Sequence, residues 1–94
     1  MLDVKTAIKT AMRFVGEVFE DQPIADLRLE EVEFDESTDQ WGVTVSFLRA
    51  SGKNAVEIAL GEEVPREYKR VWLVAATGNV TSLKNWSADV RVGA

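Results

Sequence analysis

The 94-residue sequence contains no cysteine and no histidine. Without cysteine there can be no disulfide, thiolate nucleophile or thiolate metal site. Without histidine the chain lacks the usual general base near neutral pH and the commonest metal ligand. The two absences exclude Ser-His-Asp and Cys-His hydrolases, the common zinc sites and most proton shuttles. Long apolar runs are also missing, and none approaches the roughly 18 residues a membrane span needs. The opening Met1-Leu2-Asp3-Val4-Lys5 shows neither the basic start nor the apolar run of a signal peptide. The expected setting is therefore the cytoplasm, where the sequons Asn79-Val80-Thr81 and Asn85-Trp86-Ser87 are chance matches.

What is present is ordinary for a globular chain: 46% apolar and 29% charged residues. The length fits a single domain spanning 1–94, able to fold without staples. The net charge of −5 is unevenly spread, because residues 17–39 hold ten acidic side chains against Arg28 alone. An acidic surface repels nucleic acid, and no basic cluster interleaved with aromatics argues otherwise. The expectation is no nucleic-acid partner and no membrane partner.

Apolar residues at Val4, Ala7, Ile8, Ala11, Met12, Phe14, Val15, Val18 and Phe19 predict an N-terminal helix. They fall in one sector of roughly 160°, a stripe broad enough to lie on a sheet. Asp3 is the expected N-cap, Arg13 and Glu17 are spaced to pair, and Pro23 ends the run. Gly16, at the edge of the stripe, costs about 1 kcal/mol relative to Ala and leaves room for a close approach.

Strands follow. Leu27 and Leu29 alternate with polar residues, and Val32 and Phe34 resume the alternation one residue out of step. A β-bulge at Glu30-Glu31 returns both pairs to one face. A polar turn over Asp35–Gln40 leads to a half-buried strand with Trp41, Val43, Val45 and Phe47 on one side. Residues 49–66 are irregular. Tyr68–Ala75 and Val80–Trp86 form a second hairpin, with Gly78 left-handed in a three-residue loop. That loop pairs Val71 with Leu83, Trp72 with Ser82, Leu73 with Thr81 and Ala75 with Asn79. Val90 and Val92 in the tail suit a short edge strand. The fold class is α+β: one N-terminal helix on a curled four-stranded antiparallel sheet, α-β-β-β-β.

This order, with the stretch from Tyr68 through Thr77-Gly78 to Leu83, resembles the small PepSY-like and cystatin-like domains. The resemblance implies the same helix-on-curled-sheet architecture. Inhibitory cystatins carry Gln-x-Val-x-Gly in the first hairpin; Gln40-Trp41-Gly42-Val43-Thr44 does not match, so cysteine-protease inhibition is not implied.

Two clusters are candidates for function. The acidic run Glu30, Glu31, Glu33, Asp35, Glu36 and Asp39 lacks the ligand spacing and glycine of a calcium loop and is expected to be a solvated hairpin end. In the second hairpin the odd side, Val71, Leu73, Ala75 and Leu83, is suited to the helix. The even side then carries Tyr68, Arg70, Trp72, Val74, Val80, Lys84 and Trp86 and is expected to remain uncovered; the alternatives are that the even side is the core, or that residues 49–66 or the tail fold over the aromatics. Aromatics with arginine on an open sheet face have the composition of interface hot spots. Arg66, Lys69 and Arg70 are expected in solvent or at a sheet edge. The expected function is a non-catalytic protein-interaction module of the inhibitor, immunity or accessory type, with no cofactor and no metal. Its partner is another protein or a second copy in a homodimer. The alternatives are a structural homo-oligomer and a small-ligand-binding domain.

Overall fold

The computed structural model describes residues 1–22, 24–49 and 66–86. The expectations for 50–65 and for a tail strand through Val90 and Val92 fall outside the described residues. The helix α1 runs Val4–Val18 and is started by Asp3, whose Oδ1 accepts the Thr6 N–H at 2.8 Å. No glycine closes it. Instead the Phe19 and Glu20 amides turn back onto Val15 and Glu17. Four strands follow, β1 (Ile24–Asp35), β2 (Gln40–Arg49), β3 (Glu67–Val74) and β4 (Val80–Asn85). They pair antiparallel in the order β1-β2-β3-β4, so among the described residues β1 and β4 are the edges. The chain is thus α+β, with one helix on an open antiparallel sheet among the described residues.

The core lies between α1 and β1, β2 and β3. Ala7, Ala11 and Val15, spaced one turn apart, are fully buried on Val43, Val45, Phe47, Val71 and Leu73. The two alanines put no bulk between helix and sheet, so the larger side chains come from the strands. Burial of each large aliphatic or aromatic among them stabilises by about 1.5–3 kcal/mol. Val4 and Val18, inside the apolar stripe, are 40% and 50% exposed, while Leu2 and Phe19 at the two ends of α1 pack against the core. Gly16 is no point of close approach, since a Cβ there would meet nothing within 4 Å. The N-terminal segment is tied down, with Leu2 N–H donating to Ala75 O at 2.7 Å and Trp41 Nε1 donating to Leu2 O at 3.1 Å.

Three irregularities decide which side chains share a face. In β1, Glu30 is the extra residue between the pairs Leu29–Val45 and Glu31–Thr44. This is the expected bulge, and it returns Val32 and Phe34 to the helix side. A second bulge sets Asp26 and Leu27 against Phe47, with Asp26 left-handed at φ 53°. The third is in β4, where Trp72 pairs with Ser82 as expected but Leu73 pairs with Val80, leaving Thr81 extra. The second hairpin therefore departs from the expected three-residue loop. Val74 and Asn79 close it, around Ala75–Gly78, with Gly78 at φ +80°. The reason is local competition. Ala75 donates its N–H to Asp39 O at 3.0 Å and accepts the Leu2 N–H, while Asn79 donates its N–H to Thr77 Oγ1 at 3.2 Å and accepts the Val74 N–H, so the two residues do not pair.

Candidate functional site

The far face of the sheet, turned away from α1, is built from alternate residues of all four strands. From β1 the bulge at Glu30 turns Glu31 and Glu33 onto this side, opposite Thr44 and Gly42 of β2. From β3 come Tyr68, Arg70 and Trp72, opposite Ser46, Thr44 and Gly42. From β4 come Ser82 and Lys84, opposite Trp72 and Arg70.

Arg70 is the centre of this face. It sits on an inner strand and is only 7% exposed, contrary to its expected place in solvent or at an edge. Its Nε donates to Thr44 Oγ1 at 2.9 Å, one terminal nitrogen donates to Glu33 Oε1 at 2.5 Å, and the other pairs with Glu31. The guanidinium carbon lies 3.9 Å from the Trp86 ring centroid and 5.6 Å from that of Trp72. A buried charge is tolerated when it is paired and its donors are satisfied. Both conditions hold for Arg70, and stacking on indole adds to them.

Trp72 lies flat on β2 because Gly42 leaves room for it. A Cβ at Gly42 would fall 2.7 Å from Trp72 Cη2. Trp72 and Trp86 remain half-buried, as do Tyr68 and Val74, while Lys84 is exposed. The Trp86 amide donates to Tyr68 O at 2.9 Å, holding the end of β4 against β3. Val80 is the exception among the expected face residues. The bulge at Thr81 moves it to the helix side, where it packs on the core opposite Leu73. The far face is therefore not bare. Thr44 and Ser46 are buried beneath their neighbours' side chains.

Arg66, expected in solvent or as an edge charge, holds the neighbouring part of the face. It donates to Ser46 Oγ at 2.9 Å and to the Asp26 carboxylate, also at 2.9 Å. The hydrogen bonds from Arg28 and then Arg66 hold the Asp26 carboxyl below the usual range. The acidic run is thus divided rather than wholly solvated. Glu31 and Glu33 grip Arg70, Glu30 accepts from Ser46 Oγ, and Asp35 Oδ1 accepts from Ser37. No group of three or more acidic side chains suited to a metal is found among the described residues.

Among the described residues, two grooves flank this frame. One, of about 200 Å³, is lined by Asp35, Thr38, Gln40, Trp72, Thr81 and Ser82. The other, of about 380 Å³, lies between the outer side of α1 and the start of β4, with Phe14 and Val80 among its lining and the exposed Arg13–Glu17 pair at its rim. No helix among the described residues is long and apolar enough to cross a membrane.

Sequence reasoning missed Glu31, Glu33, Thr44 and Gly42 as members of this face. The bulge and the glycine opposite a tryptophan were the available signals, because one resets strand parity and the other marks a spot that a large ring can cover. Comparison of the chain with models of protein families, with curated proteins and with solved structures finds no match.

Proposed function

We propose that this chain is a non-catalytic protein-interaction module, of the inhibitor, immunity or accessory type, that binds its partner through the β3–β4 part of the far face. The observation that carries the reading is Arg70 clamped by Glu31 and Glu33 against Trp86 and near Trp72. Tryptophan, tyrosine and arginine dominate binding energy at interfaces. Side chains already held in place lose little freedom when a partner arrives, so more of the contact energy appears as affinity. Glu31 and Glu33, the carboxylates that reach the centre of this face, are engaged with Arg70. This supports binding over catalysis.

The test is photo-cross-linking from two positions, Lys84 on the far face and Lys9 on the outer face of α1. A discrete adduct formed from position 84, absent from position 9 and lost on Trp86→Ala, is the expected result. Adducts from position 9 alone, or adducts indifferent to Trp86→Ala, would overturn the reading. An adduct of twice the chain mass would identify the partner as a second copy.

A further inference from the structure

We propose that the groove beside Trp72 is an anchor pocket for an arginine side chain of the partner protein, an inference that rests on the protein-binding reading of the far face. At about 200 Å³ the pocket is smaller than the roughly 300 Å³ at which small-molecule sites begin. A free ligand there would keep most of its surface wet. A single side chain delivered by a larger partner does not face that limit, because the surrounding contacts exclude water for it.

The chemistry of the wall selects the side chain. Trp72 supplies an aromatic surface, Asp35 a carboxylate, and Thr38, Thr81 and Ser82 hydroxyls. Thr81 Oγ1 donates to Gln40 Oε1 at 2.5 Å, which joins β4 to β2 across the pocket. Hydrogen bonds from Ser37 hold the Asp35 carboxyl below its usual range, so it stays ionised near neutral pH. A planar guanidinium can meet an indole and a carboxylate together, whereas the compact, strongly hydrated ammonium of lysine is the poorer match. The molecule solves the same problem internally, holding Arg70 with an indole, two carboxylates and a hydroxyl. An incoming cation meets little repulsion from Arg70, whose charge is matched by Glu31 and Glu33. Asp35, with Glu36 and Asp39 in the adjacent turn, leaves this end of the sheet net negative. The charge complementarity favours a basic partner surface.

The probe is the peptide acetyl-Gly-Gly-Arg-Gly-Gly-amide, titrated to millimolar concentration, where the weak binding of a side chain without its partner's surrounding contacts is read as shifts, into isotopically labelled protein beside its neutral citrulline analogue. The arginine peptide is expected to shift the Trp72 indole N–H and the amides of Gln40 and Ser82, and the citrulline peptide is not. Asp35→Asn should weaken binding roughly three- to tenfold, the scale of one charge-assisted contact. Because Asp35 also accepts from Ser37, a second variant, Ser82→Lys, introduces a competing cation into the wall and leaves the turn untouched. Equal shifts with citrulline, shifts spread over the acidic residues of 17–39, or indifference to both variants would overturn the proposal. A partner cross-linked through position 84 without peptide shifts at the pocket would remove the arginine assignment and leave the protein-binding reading standing. Cross-linking elsewhere would remove both.

Discussion

A glycine and an arginine shape the far face. Gly42 matters for the hydrogen it carries in place of a side chain, because the six-membered ring of Trp72 occupies the volume where a Cβ would lie. The clash is with the far end of a side chain, so in a Gly42→Ala variant the indole swings away while the strand stays in place. Forced repacking of that kind costs about 1–3 kcal/mol. We expect a urea midpoint shifted by that amount, together with easier acrylamide quenching of tryptophan; an unchanged midpoint and quenching would mean that the ring does not rest on β2. Arg70 shows the complementary lesson. Its burial was not legible from its own neighbourhood in the chain, because the two carboxylates that make burial tolerable, Glu31 and Glu33, come from a strand more than thirty residues earlier.

At the scale of elements, the helix was the most legible. Its cap, its period and the Arg13–Glu17 pair are all local, and the two side chains lie 3.9 Å apart. What its pattern did not reveal is that Val4 and Val18, inside the apolar stripe, remain exposed. Gly16 now has a plain reading as a helical residue with empty space around it. Gly16→Ala should therefore stabilise the fold by about 0.5–1 kcal/mol through helix propensity alone. A thermal melt that moves upward checks this, and a drop would reveal a contact at that position. The strands divide in the same way. The bulge at Glu30 was readable because it breaks an alternation within one segment. The bulge at Thr81 was not, because it follows from Ala75 bonding to Asp39 and Leu2, both remote in sequence. Val80 was misplaced for that reason alone.

For the whole molecule, the charge distribution sets the response to acid. Asp26, paired first with Arg28 and then with Arg66, and Glu67, paired with Arg49, titrate below their ordinary values of 3.8 and 4.5. A carboxylate whose folded-state pKa is depressed adds stability that is fully present above its unfolded value and is lost as pH falls through its folded value. Urea midpoints should accordingly be level near neutrality and decline once pH drops below about 4.5, with a shallower decline in an Asp26→Asn, Glu67→Gln double variant. A decline beginning at neutral pH would point to groups other than these. The exclusion of cysteine and histidine chemistry also belongs to this scale, since it holds wherever the chain folds.

Sequence alone determined the helix, its cap, the succession of one helix and the two hairpins, the first bulge and the assignment of Val71, Leu73 and Ala75 to the core side. Each of these depends on periodicity or turn chemistry within a short stretch of chain. Only the tertiary structure decided that Arg70 is buried between carboxylates and indoles, that Trp72 lies on Gly42, and that Val80 belongs to the core side. Those outcomes depend on which backbone groups and charges meet across strands, and no local pattern carries that information.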